Sequence, residues 1–238
     1  MSLSRLERDS TSADWDAKWT SIFDRYQADL RHAYYIRALL KPGENRLLEM
    51  AAGSFRDMGL LRRLGINCSG MDFSAESVAR AHAAFPDAVD NIIQASAFDL
   101  PYSDGFFDVT YHNGFWVLFD DARLLELAAE QARVTRGRMF ATVHNAHNAG
   151  FVDYFDRMRR DDPLYDIRFF TIDEISRLMG KVCDDVFVVP VGKYKRRHED
   201  YLIRLGLTQP WLIRAYLRAS GHRLLDRSER LLCIGTPR

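Results

Sequence analysis

Leu47-Leu48-Glu49-Met50-Ala51-Ala52-Gly53-Ser54-Phe55 is an apolar run that ends on an acid and passes into small residues before a helical segment. This order is that of a buried strand feeding a tight turn into a helix. Small residues at such a turn let the backbone approach a ligand closely, because a side chain would occupy the ligand's volume. The acid narrows the choice of ligand. A carboxylate at the strand end repels a dinucleotide pyrophosphate, whereas a ligand carrying an amino group and a sulfonium tolerates or prefers it. A nicotinamide-binding turn would need G-x-G-x-x-G, and Ala51-Ala52-Gly53-Ser54-Phe55-Arg56 offers one glycine.

Outward from that turn, short apolar runs alternate with helical segments, the pattern of a parallel sheet with helices on its faces. Strands are expected near 46–51, 66–72, 90–95, 106–112 and 137–144. Helices are expected at 56–64 (opening after Ser54), at 75–84 (capped by Ser74) and at 121–135 (capped by Asp120). A sixth strand at 185–191 and a last one at 230–235 complete a Rossmann-like, doubly wound, mostly parallel seven-stranded α/β sheet. Ligands of such sheets sit outside the carboxyl ends of the strands. Upstream, Trp15, Trp19, Ile22, Phe23, Tyr26, Leu30, Ala33 and Leu40 recur at helical spacing until Pro42-Gly43, which predicts one or two helices. Such an aromatic stripe is either packing surface or a lid over a ligand.

Three segments carry a further resemblance. The 47–55 turn resembles the first motif, acid-x-Gly-x-Gly-x-Gly, of class I S-adenosylmethionine-dependent methyltransferases; Ala51 and Phe55 stand at the first and third glycines, and Gly53 is the central one. Gly70-Met71-Asp72-Phe73-Ser74 puts an acid about 20 residues further on, the spacing at which an adjacent strand presents a carboxylate to ribose hydroxyls. Gln94-Ala95-Ser96-Ala97-Phe98-Asp99-Leu100-Pro101-Tyr102-Ser103-Asp104-Gly105-Phe106-Phe107-Asp108-Val109 resembles the family's Gly-Asp-Ala-x-x-Leu-Pro-Phe-x-Asp-x-x-Phe-Asp-Val closely. The resemblance covers residues 45–145 well.

It implies S-adenosyl-L-methionine as cofactor and methyl transfer to a small-molecule acceptor. Glu49, Ala51, Gly53, Asp72, Phe73, Ser96, Ala97, Phe98 and Asn113 are the implied cofactor residues. Ser96 stands where the family's acid meets the adenine amine, which suggests a water-mediated contact. His112 and His144, each at a strand end, are the candidate bases if the acceptor is a hydroxyl, although a lone histidine there is as readily structural. The altered glycines and Ser96 also fit a rival, a non-catalytic binding or scaffold protein that keeps the fold. His144-Asn145-Ala146-His147 lacks an acidic third ligand in register, which argues against a metal.

One domain is expected over 1–238, with 1–42 as a helical cap and 45–145 as the cofactor core. Residues 145–170 and 192–227 are insertions on the acceptor side, after the fifth and sixth strands. Thirty-three basic and thirty-three acidic residues cancel, so no long-range field draws the chain to nucleic acid or an anionic membrane. The run Lys193, Lys195, Arg196, Arg197, His198 reads as a solvated face. No apolar run is long enough to span a bilayer, and Cys68, Cys183 and Cys233 form no C-x-x-C pair. These features point to a reducing cytoplasm and leave the oligomeric state open.

Overall fold

A computed structural model describes residues 11–162, 165–193 and 198–238. The stripe at the N-terminus forms two helices, α1 (Ser12–Tyr26) and α2 (Arg31–Leu39). Thr11 and Asp14 close a capping box at the start of α1, each satisfying a backbone N–H of the other.

The sheet follows. Its parallel part is β1 (Arg46–Glu49), β2 (Asn67–Asp72), β3 (Ile92–Gln94), β4 (Phe107–Asn113) and β5 (Thr135–Asn145). Between these strands run α3 (Arg56–Arg63), α4 (Ala75–Ala84) and α5 (Asp121–Arg133). Then come α6 (Ala149–Met158), the two-residue β6 (Phe169–Phe170), α7 (Ile172–Met179) and β7 (Cys183–Lys193). The chain ends with α8 (His198–Arg204), α9 (Pro210–Ser220) and β8 (Ser228–Pro237). The strand order is β3-β2-β1-β4-β5-β8-β7, with β8 antiparallel to both neighbours and β6 pairing β5 off this path. The expected doubly wound α/β sheet is therefore present, and β6 adds a short strand to it.

Caps expected from the sequence form at Ser74 and Asp120, whose side chains accept from the Ser77 and Arg123 backbone N–H groups, and Thr171 caps α7 in the same way through the Glu174 N–H. One start differs. α3 opens at Phe55 in a left-handed conformation with no side-chain cap, because Ser54 lies inside the turn and not at the helix end. The basic run Lys193, Lys195, Arg196, Arg197 and His198 falls, in its side chains, outside the described residues.

Strand alternation splits the interior into two cores. Leu47, Val109, Tyr111, Phe140, Leu232 and Ile234 face α2, α3 and α9. Leu48, Met50, Met71, Met139, Val143 and Leu231 face α5 and α7. Every parallel strand points its carboxyl end to the same edge, and the candidate residues collect there.

Candidate functional site

The bend after β1 takes its shape from three consecutive odd positions. Ala51, Gly53 and Phe55 have φ of 47°, 58° and 53°, all left-handed. These are the positions of the three glycines in the motif the turn resembles, so the backbone path is kept where two of the glycines are not. Holding non-glycine residues in this region costs roughly 1–2 kcal/mol each. Phe55 is also accommodated: it is fully buried, and its ring packs on Gly70 of β2, where an added Cβ would lie 2.7 Å from the ring.

Asp72 closes the bend from the neighbouring strand. Its Oδ2 accepts the Gly53 N–H at 2.7 Å and its Oδ1 the Ser74 N–H at 2.9 Å. Burial raises its pKa to about 6 in spite of these bonds. The Asp72 carbonyl takes the Ala95 N–H at 3.0 Å, which carries Ser96, Ala97 and Phe98 to the same edge. Ser96 Oγ accepts the Phe98 N–H at 3.2 Å, and the half-buried Phe98 ring lies between the Arg123 guanidinium at 3.9 Å and Phe119 at 5.7 Å. Phe73 is 47% exposed, and its carbonyl accepts from Ser12 and Gln94.

Glu49 turns inward. Its Oε2 accepts the Met58 N–H at 2.7 Å, in the first turn of α3, and the Tyr111 hydroxyl at 3.3 Å. Burial, with Asp57 close by, pushes its pKa well above the usual range. Asp57 Oδ2 lies 2.7 Å from His32 Nδ1 and 3.4 Å from Asn113 Nδ2, and His32 Nε2 lies 2.8 Å from Thr142 Oγ1. This buried chain ties α2 to the ends of β4 and β5.

Helix α1 lies across the bend as a strap. Asp16 Oδ1 accepts from Ser74 Oγ at 2.5 Å and from the Glu76 N–H at 3.1 Å; Gln27 Nε2 donates to the Ser54 carbonyl at 2.7 Å. The Trp19 indole rests on Gly53, where an added Cβ would come within 2.2 Å of it. The bend thus sets a glycine beside the Asp72 carboxylate at the strand edge, and the Trp19 indole covers that glycine.

The two histidines part company. His112 was expected at the acceptor edge, but it is fully buried on the opposite face of β4 from Tyr111 and Asn113, 4.9 Å from the Trp116 ring, and accepts the Phe115 N–H. Burial lowers its pKa to about 3, so it is a neutral core residue. His144 shares a face with Thr142 and stands among Phe151, Phe155 and Phe169, with ring centroids 5.8, 5.1 and 5.4 Å away. Its Nδ1 has no partner among the described residues, and burial, with Arg230 beside it, holds its pKa well below the usual value. His147 is exposed, and its Nε2 accepts the Ile172 N–H at the start of α7.

Sequence reasoning did not single out Asp16, His32, Asp57 or Arg230. The stripe containing Trp19 was the one available signal for the strap, and its spacing alone does not say what the stripe covers.

Residues 48–139 match a family model described as a methyltransferase domain. Among solved structures, the chain is similar to an S-adenosylmethionine-dependent methyltransferase from Thermotoga maritima described as a possible histamine N-methyltransferase, with TM-score 0.61, 18% identity and 98% of each chain covered. It is also similar to one from Archaeoglobus fulgidus, with TM-score 0.63, 16% identity, and 94% of this chain and 98% of that chain covered. A third is geranyl diphosphate C-methyltransferase from Streptomyces coelicolor A3(2), solved with Mg2+, geranyl diphosphate and S-adenosyl-L-homocysteine; the TM-score is 0.57 at 12% identity, covering 98% of this chain and 89% of that one. No curated protein matches by sequence. The core thus matches a methyltransferase domain over residues 48–139, and the sheet built around it has the fold of the S-adenosylmethionine-dependent methyltransferases to which the chain is similar.

Proposed function

We propose that the chain methylates a small-molecule acceptor, binding S-adenosylmethionine across the bend after β1. Bound there, the cofactor supplies a methyl carbon on a sulfonium, which an acceptor lone pair displaces in line as the sulfur leaves with the bonding electrons. Asp72 holds the ribose diol with the lone pairs that Gly53 and Ser74 leave free. Phe98, the Ala97 backbone and Ser96 meet the adenine, with Phe73 at its rim. Glu49, Ala51, Gly53 and Asn113 border the amino-acid end. Trp19 swings off Gly53 and caps the bound cofactor, excluding water.

His144 faces the acceptor. Neutral at physiological pH, it accepts or donates one hydrogen bond at Nδ1 and orients the acceptor atom; His112 takes no part. The segments 145–170 and 192–227 form the acceptor side. No helix among the described residues is long and apolar enough to cross a membrane, and the three cysteines are buried free thiols. We assign the protein to the cytoplasm, acting without a nucleic-acid partner.

The observation that carries this reading is the left-handed path of Ala51, Gly53 and Phe55 closed by the Asp72 carboxylate. A second reading, a non-catalytic binding protein, draws on Trp19, whose ring covers the surface the cofactor needs. Titration calorimetry with S-adenosylmethionine and S-adenosylhomocysteine separates the two. Binding of both, with a change in tryptophan fluorescence that Trp19→Phe removes, is expected; absence of binding at millimolar ligand leaves the second reading standing.

A further inference from the structure

Two arginines lie near the carboxyl edge of the sheet, and each has a buried Nη1 with no hydrogen-bond partner among the described residues; they differ in what the rest of the guanidinium meets. Arg31, at the start of α2, is held in a two-point pair by Asp29, with Nε 2.9 Å from Oδ1 and Nη2 2.8 Å from Oδ2. It also reaches Glu229 and Asp200, each at 3.5 Å. Against burial, which acts to lower it, the Asp29 pair holds the Arg31 guanidinium above its usual range.

Arg230 is the next residue after Glu229, on β8 directly across from His144. Residues paired in this way on antiparallel strands point to the same face. Its Nη1 is shut off from solvent and has no hydrogen-bond partner among the described residues. Burial pulls its pKa down to about 10, and Glu229, the largest opposing influence, does not restore it. A guanidinium stays charged at that value, and a buried Nη1 edge left without a hydrogen bond is costly. The nearby acids Asp29 and Glu229 are engaged by Arg31.

Beyond the charges of Glu229, Asp29 and Arg31, Arg230 meets an aromatic wall and one more open polar atom. The Phe151 ring lies 5.9 Å from its guanidinium carbon and runs parallel to His144, whose Nδ1 also lacks a partner. Phe155 and Phe169 close the other sides of His144. One free edge of a cation beside an aromatic wall is the recognition chemistry of a carboxylate on an apolar body.

We propose that the methyl acceptor is a small apolar carboxylate, held by Arg230 against Phe151, Phe155 and Phe169, with His144 beside its reacting end. This rests on the methyl-transfer reading above. The site takes a single negative charge, since Asp29 and Glu229 stand close enough to repel a second one, which disfavours a phosphate dianion. Arg230 thereby determines acceptor specificity without touching the cofactor.

The test uses the full chain and three probes, phenylacetate, phenylacetamide and phenyl phosphate, titrated with and without saturating S-adenosylhomocysteine. Phenylacetate is expected to bind at least tenfold tighter than phenylacetamide and tighter than phenyl phosphate. Arg230→Gln removes the preference for phenylacetate over the amide, and Arg230→Lys retains part of it. Equal binding of phenylacetate and its amide by the wild-type chain, a preference for phenyl phosphate, or no phenylacetate binding overturns the proposal. The wild-type comparison decides the matter even if the variants fail to fold. Loss of the carboxylate preference with S-adenosylhomocysteine still bound sinks this inference alone; failure of S-adenosylhomocysteine to bind sinks the methyl-transfer reading, and the phenylacetate preference is then read without it.

Discussion

The ends of β1 and β2 and the ends of β5 and β8 lie on one edge of the same sheet and are finished differently. Around β1 and β2 the chain answers most of its own polar groups: Asp72 takes N–H groups from Gly53 and Ser74, Glu49 takes Met58 and Tyr111, and Asp16 takes Ser74 and Glu76, while Asp57 Oδ1 has no hydrogen-bond partner among the described residues. Around β5 and β8, His144 Nδ1 and Arg230 Nη1 are buried without partners. Buried polar groups are rarely left unmatched, because each costs about 1–3 kcal/mol. The first region is therefore shaped by backbone geometry that every turnover shares. The second is shaped around a molecule that supplies the missing partners.

The largest effect expected on the self-satisfied side concerns Phe55 and Gly70. Phe55→Ala empties the space under the bend and should cost about 3–5 kcal/mol in urea unfolding. Gly70→Ala, whose new Cβ would lie 2.7 Å from the Phe55 ring, should destabilise as well. The double variant should lose clearly less than the two single losses added together, because the smaller side chain makes room for the methyl. Strict additivity would mean that ring and glycine do not share the space described.

Next is Asp72→Ala. Two charge-assisted bonds to the ribose at roughly 1.5 kcal/mol each correspond to about a 100-fold loss of S-adenosylhomocysteine affinity by calorimetry. The same variant should leave phenylacetate binding unchanged in the absence of cofactor, since Asp72 and Arg230 belong to different strand ends. An equal loss at both would erase the distinction between the regions.

Asp72 also sets a pH dependence. Its carboxyl is raised to about 6 by burial, so the ionised form that accepts two hydroxyls is depleted below that pH. Cofactor affinity should fall about tenfold from pH 7.5 to pH 5, one unit below the pKa, and Asp72→Asn should flatten the profile. Folding responds with the opposite sign. The folded-state pKa of about 6 exceeds the ordinary aspartate value of 3.8, so the native chain binds more protons between these values, and Asp72's contribution to stability falls as pH rises through that window. A cofactor affinity independent of pH from 5 to 7.5 would remove Asp72 from the site.

Most of the fold was legible because alternation, caps and turn residues are local signals. Ser74 and Asp120 cap the helices the sequence assigns to them, and the strand edges hold to within a few residues. The start of α3 falls at Arg56 where the sequence places it, but the left-handed Phe55 ahead of it was not legible, because it depends on a glycine in another strand. His112 and His144 look alike in sequence, each near the end of an apolar strand. Which face each takes is fixed by strand register, and register placed His112 against Trp116 and His144 opposite Arg230. The strap and the open guanidinium were not legible at all. Both depend on contacts between residues far apart in the chain, such as Trp19 with Gly53 and Arg31 with Glu229.

The smallest effect is the most direct test of the idea that the bend keeps its glycine-like shape. Ala51 sits at φ 47°, where an L side chain costs roughly 1–2 kcal/mol. Glycine removes that cost but gives back about 0.5–1 kcal/mol through the greater freedom of the unfolded chain. Ala51→Gly should therefore stabilise the protein by up to about 1 kcal/mol in urea unfolding, the reverse of the usual effect of putting glycine in place of alanine. Cofactor affinity should hold or rise slightly, since the turn already follows that path. A loss of stability would place Ala51 in an ordinary conformation, and the bend would then be no evidence for a bound nucleoside.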